Sequence, residues 1–375
     1  MKNKIKILFA IDRMSIGGAP AVVLAQLREI DKGQFDPYLL TLYKSKQANY
    51  WDAVREILPN DKILECTLKN RSLLDITTWR QVYQFIKKEK FDVVYTHLFL
   101  ANVLVRLVAI IARVRVILAM EHSFYYEKKI WQKLVDHVWS WGTDAIITPN
   151  AEIADFTAAQ EHVKRSKFFC IPNPILVPAR EDVDIEEMKR FAGIPEGIPV
   201  IVNIGRFSEE KGQNHILDIA EELQKRGSNA QFVIVGHGAL ENDLRNALIH
   251  KGMESYCRVL ADPQRAKEYL HIAQIFLSPS LREGQPIVIL EAMAAGVPVV
   301  AYANDGAKSV IADTINGLLV PIGNTNAAAD AVEQLLTHPA QGKILAQAAY
   351  THVESYGTKH SIRLLEEHIM EHYGS

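Results

Sequence analysis

Two carboxylates stand eight positions apart, astride a predicted turn and a helix start that offers a site for phosphate. The segment runs from Glu283 through Gly284, Gln285 and Pro286 to Glu291. Pro suits the first helical position, because its missing N–H costs nothing there. A helix start offers free backbone N–H groups and the positive dipole end to a phosphate. Glu291 lies about one turn inside an apolar helix, where its burial requires a partner.

Two cations follow a predicted strand further upstream. Arg206 and Lys211 flank a short turn after the apolar run 198–204. The planar fork of Arg and the point charge of Lys together suit a diphosphate. An exposed turn with incidental charges is the alternative, but the two carboxylates downstream favour a diphosphate site.

Two glycine-containing turns also follow predicted strands. Gly236 and Gly238 are followed by Glu241, which stands where a dinucleotide fingerprint requires a third glycine, so an NAD site is poorly supported. Gly17 and Gly18 follow the first strand, where glycine lets the backbone approach a ligand beside a helix start. A tight structural turn is the alternative for both.

Two histidines are placed at strand ends in the first half of the chain. His122 follows the apolar run 116–120, and His97 follows the run 93–96. A His at the carboxyl end of a strand can hydrogen-bond a sugar hydroxyl or a developing charge. A purely structural His is the alternative for each.

Alternating strand and helix patterns predict a parallel α/β architecture along the whole chain. The predicted strands are 5–11, 38–42, 93–96, 116–120, 145–148, 168–171, 198–204, 231–235, 258–260, 275–277, 297–301 and 317–320. The predicted helices include 21–30, 76–88, 101–112, 212–225, 240–250, 263–272, 287–295, 326–336, 342–356 and 359–373.

The proline-rich run 171–178 and the acidic run 181–187 divide these elements into two series. The simplest assembly is two Rossmann-like domains facing a cleft, with ligands beyond the strand carboxyl ends. We predict an N-terminal domain over 1–173, a second domain over 174–355, and a C-terminal helix over 356–375 that packs back on the first.

Charge is divided unevenly along the chain. Residues 1–180 hold 26 Lys and Arg against 18 Asp and Glu, a charge of +8, whereas residues 181–375 hold 16 against 26, a charge of −10. The basic half suggests an anionic partner, with chance as the alternative. The run 101–119 could present a basic, apolar face to lipid, or be a core helix with snorkelling arginines. The cations concerned are Arg106, Arg113, Arg115, Lys128, Lys129 and Lys133.

Composition and targeting signals point to a cytoplasmic protein. Hydrophobic content of 48% and charged content of 23% are those of a soluble globular chain. Three scattered cysteines favour a reducing compartment and argue against disulfides or a zinc site. The N-terminal apolar run breaks at Asp12, too early for a signal peptide, and three arginines interrupt the apolar window 103–120. Asp182 and Asp184 have the Asp-x-Asp spacing of some binding sites for divalent ions. Because they lie in an acidic run, we interpret them as solvated surface charges instead.

Glu-x7-Glu followed by Ala-Met-Ala-Ala-Gly-Val-Pro-Val-Val-Ala resembles the signature of retaining glycosyltransferases of family 4, which have the GT-B fold. The run Gly-Arg-x(4)-Lys-Gly resembles another element of this family. The resemblance implies that Arg206 and Lys211 hold the donor diphosphate and that Glu291 binds the ribose. It places Glu283 beside the donor sugar, where the carboxylate would orient hydroxyls or stabilise oxocarbenium character rather than act as a nucleophile. It places His122 near the transferred sugar.

The family's glycine loops have counterparts here too. The resemblance implies that Gly236 and Gly238 line the nucleotide pocket and that the Gly17–Gly18 loop contacts donor phosphate or acceptor. The segment Gly284, Gln285, Pro286 and Ile287 would face the donor through the backbone N–H groups of its three non-proline residues. However, Gln285-Pro286 stands where the family often has Phe-Gly, and Pro174 where it often has Gly. Pro286 removes a backbone donor, which leaves the sugar open, although the Gln285 side chain can offer a contact instead.

The resemblance implies retaining transfer from a nucleotide-diphosphate sugar, UDP favoured and GDP the alternative, to a glycan or lipid-linked acceptor. It implies metal-independent chemistry without a cofactor, in bacterial surface polysaccharide synthesis, and an anionic inner-membrane surface as a further partner for the basic N-terminal domain. No nucleic-acid partner is expected. A UDP-sugar 2-epimerase of the same architecture and a non-catalytic sugar-nucleotide-binding protein are the competing hypotheses.

Overall fold

The computed structural model describes residues 4–44, 49–68, 75–175, 182–354 and 357–374. The chain forms two compact units, one of Met1–Pro174 with Thr358–Ser375 and the other of Ile175–Gly357. Part of the predicted linker, residues 176–181, lies outside the described residues.

The first unit is built on a parallel sheet. Its strands are β1 (Ile5–Ile11), β2 (Phe35–Thr41), β3 (Ile63–Glu65), β4 (Val93–His97), β5 (Val116–Met120), β6 (Ala145–Thr148) and β7 (Phe168–Cys170). Their order is β3-β2-β1-β4-β5-β6-β7, and every pair in it is parallel. β4 and β5 are buried at every position, as expected for central strands covered on both faces.

Helices connect these strands. They are α1 (Gly18–Glu29), α2 (Trp51–Ile57), α3 (Ile76–Glu89), α4 (Phe99–Ala112), α5 (Ile130–Trp139) and α6 (Ala151–Glu161), with 3-10 helices at Asn60–Lys62, Ser140–Gly142 and Arg165–Lys167. The prediction omits β3, because only Ile63 and Leu64 of its three residues are apolar, too short a run to predict a strand.

The expected basic, lipid-facing surface does not lie on α4. This helix is in the core, and Arg106 is 1% exposed because it forms an ion pair with the buried Asp136 of α5. Arg113 and Arg115 are exposed beyond the end of the helix. α4 is therefore the core helix of the alternative interpretation, but Arg106 is fully buried rather than snorkelling.

The second unit is built on another parallel sheet. Its strands are β8 (Val200–Ile204), β9 (Gln231–Val235), β10 (Cys257–Leu260), β11 (Ile275–Ser278), β12 (Val299–Tyr302) and β13 (Leu318–Val320), in the order β10-β9-β8-β11-β12-β13. Its helices are α7 (Ile185–Ala192), α8 (Gln213–Lys225), α9 (Glu241–His250), α10 (Ile287–Ala294), α11 (Asp305–Lys308), α12 (Thr325–Thr337) and α13 (Pro339–Glu354). The predicted helix 263–272 is a 3-10 helix over Ala266–Ile272, and a further 3-10 helix spans Glu209–Lys211. The prediction of a parallel α/β fold with two Rossmann-like domains is confirmed.

The last helix, α14 (Thr358–Gly374), belongs to the first unit. It packs on α1 and β5, and its Leu365 and Ile369 are buried in the same apolar core as β1. The guanidinium carbon of Arg115 lies 4.3 Å from the centre of the Tyr373 ring, which adds a cation–π contact. The helix therefore covers part of the first sheet's core.

We expect Leu365→Ala to lower the free energy of unfolding of the first unit by about 2–5 kcal/mol, because it leaves a cavity in a packed core. All five tryptophans lie between positions 51 and 141, so tryptophan fluorescence during urea unfolding monitors the first unit. Ile344→Ala, at a 68% exposed position on α13, is the control and should not move this transition. An unshifted transition in the Leu365 variant would contradict the packing described for α14.

Candidate functional site

Each sheet has one point where the strand order reverses, and the chemically interesting residues follow the strands at these points. The reversal lies between β1 and β4 in the first sheet and between β8 and β11 in the second. Ligands of open α/β sheets bind beyond the carboxyl ends of the strands at such a point. Both units therefore place their candidate residues where this fold binds ligands.

The cationic loop follows β8 in the second unit. Arg206 has an exposed side chain whose Nη2 lies 3.4 Å from Oε2 of Glu210, a surface contact of small energy. Gln213 Nε2 donates to the carbonyl oxygen of Arg206 at 3.0 Å and holds the loop against the start of α8. Arg206 is thus on a held backbone with a side chain that remains accessible to an anion.

Lys211 and Glu283 meet directly, although they are 72 positions apart. The Lys211 ammonium forms an ion pair with the Glu283 carboxylate, and both side chains are largely buried. Gly212 after Lys211 has φ of 62°, and a Cβ there would lie 2.3 Å from the carbonyl oxygen of Pro279. The loop after β8 thus packs on the loop after β11, and a diphosphate that binds Lys211 must share it with Glu283.

Glu291 has the partner that its burial requires. It is 2% exposed on α10, and its Oε1 forms an ion pair with Nζ of Lys267 from the 3-10 helix Ala266–Ile272. Burial raises the pKa of Glu291, whereas Lys267 acts to lower it. Sequence reasoning missed Lys267, because no local pattern links a lysine to a glutamate in a separate element.

The glycine turn after β9 packs on the cationic loop. A Cβ on Gly236 would lie 1.9 Å from the carbonyl oxygen of Gly205, and one on Gly238 would lie 2.4 Å from that of Phe207. Phe207 N–H donates to the carbonyl oxygen of His237 at 2.9 Å. These contacts account for both glycines through packing, and their place beside a nucleotide stays a prediction.

The segment before α10 is closely packed. Gly284, Gln285 and Pro286 are buried, and the helix begins at Ile287 rather than at Pro286. Ile287 N–H donates to the carbonyl oxygen of Gln285 at 3.0 Å, so this amide already has a partner in the protein.

Gly306, which sequence reasoning missed, supports this segment from α11. A Cβ on Gly306 would lie 2.6 Å from the carbonyl oxygen of Gly284 and 2.7 Å from Cβ of Glu283. Asn304 Nδ2 donates to the carbonyl oxygen of Ser280 at 2.8 Å. The loop after β12 therefore fixes the backbone that presents Glu283.

The glycine loop of the first unit begins α1. Gly17 precedes the helix, and its carbonyl oxygen accepts the N–H of Ala21 at 3.0 Å. A Cβ built on Gly17 would meet no atom of the described residues within 4 Å. Open space beside a helix start is the setting that the sequence predicts for a phosphate or acceptor.

His97 and His122 form a pair at the ends of β4 and β5. Nδ1 of His97 lies 3.2 Å from Nε2 of His122, and His97 is fully buried with its ring 4.3 Å from that of Tyr95. Burial lowers the pKa of His122 to about 3 and holds the pKa of His97 well below its ordinary value. Both rings are neutral at physiological pH, so His122 acts as a hydrogen-bonding group and not as a cation.

Leu98, the residue after His97, has φ of 69° and ψ of 166°. This conformation is strained for a branched side chain, and such strain is concentrated at functional positions. It lies at the strand-to-helix turn directly after His97, which supports a functional role for the pair.

A buried charge cluster lies beside His122. Nζ of Lys128 is 3.4 Å from Glu121, 2.9 Å from Asp136 and 2.5 Å from Glu161, and Arg106 also pairs with Asp136. Oxygens of the three carboxylates lie within 4.8 Å of one another, and the Lys128 ammonium occupies the place that a metal ion would take among them. The cluster holds both ends of the segment 121–128 that includes His122.

Burial raises the pKa of two of the carboxyl groups in this cluster. Burial and the neighbouring carboxylates raise the pKa of Glu161 to about 8, so it keeps a proton at neutral pH. Burial also raises the pKa of Glu121, against the opposing effect of Lys128. Sequence reasoning missed the cluster. It left open whether Arg106 and Lys128 form a basic lipid-facing surface or whether Arg106 snorkels from a core helix, and the structure buries both side chains.

The run with Asp182 and Asp184 has a structural role. Both residues are exposed, and the Asp184 side chain accepts the N–H of Glu187 at 2.9 Å as the cap of α7.

Comparisons with known proteins agree along most of the chain. The family model described as "Glycosyltransferase Family 4" matches residues 16–176, and the one described as "Glycosyl transferases group 1" matches residues 184–352. The UDP-Gal:alpha-D-GlcNAc-diphosphoundecaprenol alpha-1,3-galactosyltransferase of Escherichia coli is 26% identical over 338 residues, which are 86% of this chain and 85% of that protein. The amylovoran biosynthesis glycosyltransferase AmsK of Erwinia amylovora is 32% identical over 168 residues, 43% of this chain and 41% of that protein.

Solved structures show the same fold over the full length. The Anabaena HepE protein in complex with UDP and glucose matches with a TM-score of 0.84 at 16% identity, covering 98% of this chain and 100% of that one.

Glu161→Gln should flatten the pH dependence of stability. The pKa of Glu161 is about 8 in the folded protein and 4.5 in the unfolded chain, so folding takes up a proton between pH 4.5 and pH 8. The wild type therefore loses stability as pH rises from 4.5 to 8. The amide cannot titrate, so the variant should lose this decline, which is at most about 1.4 kcal/mol per pH unit for one group.

Urea unfolding between pH 5 and 9, followed by tryptophan fluorescence, measures this slope. Glu152→Gln, at an exposed position on the same helix, is the control and should follow the wild type. Parallel curves for Glu161→Gln and the wild type would show that Glu161 does not hold the proton.

Proposed function

Because the chain belongs to the group 1 glycosyltransferases of family 4 and has their GT-B fold, we propose that it transfers a sugar from a UDP-sugar to a lipid-linked or glycan acceptor with retention. The E. coli relative is named for UDP-galactose and a diphosphoundecaprenol-linked acceptor, which supports this donor and this class of acceptor. A GDP-sugar is the alternative donor. Retention rests on the Glu-x7-Glu signature.

The observation on which the proposal depends is the meeting of Lys211 and Glu283 beside the start of α10. Transfer requires stabilisation of negative charge on the leaving diphosphate. Lys211 and Arg206 supply cations for it, and the positive end of α10 adds its dipole. The ion pair keeps Lys211 positioned before the donor arrives, so little reorganisation is needed.

The two carboxylates then have different tasks. We assign to Glu291 hydrogen bonds with the ribose hydroxyls, because its carboxyl group is held in place by the ion pair with Lys267. Glu283, next to Lys211, orients hydroxyls of the donor sugar. We assign to neutral His122 a hydrogen bond to the transferred sugar.

We further propose that the reaction is metal-independent, because Arg206, Lys211 and the positive end of α10 can offer positive charge to the diphosphate in place of a metal ion. The protein would act at the cytoplasmic face of the membrane in surface polysaccharide synthesis. The amylovoran-synthesis role in the name of the Erwinia relative supports this setting. Among the described residues, every helix is too short or too polar to span a bilayer.

Calorimetric titration with UDP, GDP, ADP and CMP, with and without EDTA, tests the donor assignment. We expect UDP to bind in the micromolar range regardless of EDTA. Loss of binding in EDTA would contradict the metal-free proposal, and preference for GDP would change the donor. Incubation of the UDP-sugar without acceptor separates the alternatives: an epimerised sugar would indicate a 2-epimerase, and nucleotide binding without turnover on any acceptor a binding protein.

Lys211→Ala and Glu283→Gln should shift UDP affinity in opposite directions. Loss of Lys211 removes a diphosphate partner, so UDP binds more weakly and kcat falls by about 10²–10³-fold. Glu283→Gln frees Lys211 from its carboxylate, so UDP binds several-fold more tightly, yet kcat falls because the sugar is less well oriented.

The control is Lys225→Ala, which removes only a surface pair with Glu221 on α8. It should leave both the dissociation constant of UDP and kcat unchanged. An unchanged kcat at saturating donor in Lys211→Ala would contradict the diphosphate role.

A further inference from the structure

His97 does not serve as the direct sugar contact that its position after β4 suggested. Its side chain is 0% exposed, and the centre of its ring lies 4.3 Å from that of Tyr95 and 6.4 Å from that of Phe9, which stacks on it. His122 is only partly buried, so its ring can meet a ligand. Any contribution of His97 to the chemistry must therefore act through His122.

The contact between the two rings uses one particular nitrogen of each. Nδ1 of His97 lies 3.2 Å from Nε2 of His122, so Nδ1 is the nitrogen that His122 has left for a ligand. Because burial lowers the pKa of both rings, each is neutral at physiological pH and has one N–H donor and one lone pair. In the bond between them, one ring therefore donates and the other accepts.

Two arrangements of the protons satisfy this bond. In the first, His97 donates, so Nδ1 of His122 carries an N–H and acts as a donor toward a ligand. In the second, His122 donates, so its Nδ1 has a lone pair and acts as an acceptor. A change from one arrangement to the other that keeps the bond requires Nε2 of His97 to gain or lose a proton.

Nε2 of His97 is poorly placed for such an exchange. It is buried, and it has no hydrogen-bonding partner among the residues that the structure describes. A proton reaches a ring nitrogen through solvent or through another polar group, and the ring of His97 is shielded from solvent by its neighbours in the core. The tautomer of His97, and with it that of His122, therefore stays fixed while the bond between the rings lasts.

The strand ends that present the two rings are also fixed to each other. His97 pairs with Met120 in the register between β4 and β5. Asn102 of α4 donates from Nδ2 to the carbonyl oxygen of Met120 at 3.1 Å and to Oε1 of Glu121 at 3.2 Å. The backbone on both sides of the ring pair is thus held by the protein itself, so the pair forms without a ligand.

We propose that His97 is a positioning residue that fixes the ring of His122 in one orientation and one tautomer, so that Nδ1 of His122 has a single hydrogen-bonding role toward the transferred sugar. The proposal rests on the proposed function for the identity of this ligand, whereas the pairing of the rings does not. An imidazole without such a partner turns about its side-chain bonds and exchanges its proton with water, so only part of the molecules would present the competent form. A buried partner removes this loss before the sugar binds.

Two substitutions of His97 separate this role from simple packing. The side-chain amide of Asn lies where Nδ1 of a histidine lies, whereas that of Gln reaches the place of Nε2. Gln is closer to histidine in volume and leaves the smaller cavity. If His97 only fills the core, His97→Gln should be the milder change, but if its bond to His122 matters, His97→Asn should be.

Turnover of UDP-galactose with GlcNAc-diphosphoundecaprenol, the substrates in the name of the E. coli relative, measures the difference. We expect His97→Gln to lower kcat on the order of 10²-fold, the scale of a small misplacement, and His97→Asn to keep most of it. The dissociation constant of UDP should not change in either, because the groups assigned to UDP lie in the second unit. His250→Gln, at an exposed position on α9, is the control and should match the wild type.

Substitutions of His122 test the same geometry at a partly exposed position, where the core is not disturbed. His122→Asn keeps a polar group in the place of Nδ1, and His122→Gln keeps one in the place of Nε2. If Nδ1 faces the sugar, His122→Asn should retain more kcat than His122→Gln.

Nitrogen-15 NMR of the histidine rings determines the tautomer without depending on activity. The signals of His122 are assigned by their loss in His122→Asn. In the wild type at neutral pH, we expect one nitrogen of this ring to show the shift of an N–H and the other that of a bare nitrogen. In His97→Gln, both should move to the averaged shifts of exchanging tautomers.

Three results would overturn the positioning role of His97. The first is averaged ring shifts for His122 in the wild type, and the second is unchanged shifts in His97→Gln. The third is a kcat of His97→Gln that equals or exceeds that of His97→Asn. A wild type that turned over no UDP-sugar would instead contradict the proposed function, and the NMR result would still decide whether His97 fixes His122.

Discussion

In each unit every strand runs in the same direction, and the candidate site depends on this. Parallel strands send all their carboxyl ends to one edge, so the loops that leave them collect there whatever their distance along the chain. β8 and β11 are neighbours in the sheet although β9 and β10 intervene in sequence. The loops after them therefore touch, and Lys211 reaches Glu283 across 72 positions.

A second constraint is that a charge removed from water needs a partner. Glu291 meets it with Lys267, and Glu283 with Lys211, so the second unit holds its charges as pairs in the absence of donor. A bound nucleotide-diphosphate sugar would exchange partners with groups that are already positioned. This arrangement suits the stabilisation of a leaving diphosphate by a preorganised environment.

In the first unit the same constraint has a structural consequence at the surface. The cluster around Lys128 holds the segment of His122, and through Asp136 it also sets the rotation of α5. One set of buried ion pairs thus positions a candidate site residue and turns an apolar helix face outward.

Local sequence patterns determined most of the strands, the glycine turns, the start of α10 and the residue types of the candidate site. Strands β1, β5, β6 and β9 have the predicted bounds, since apolar periodicity and turn residues act over a few positions. The family signature likewise lies within short motifs. Sequence alone could not reveal Lys267 as the partner of Glu291, the interior position of Arg106 and Lys128, or the outward face of α5. These were decided by strand order and helix rotation, because a buried charge is matched with whichever opposite charge the tertiary packing brings within a few ångströms.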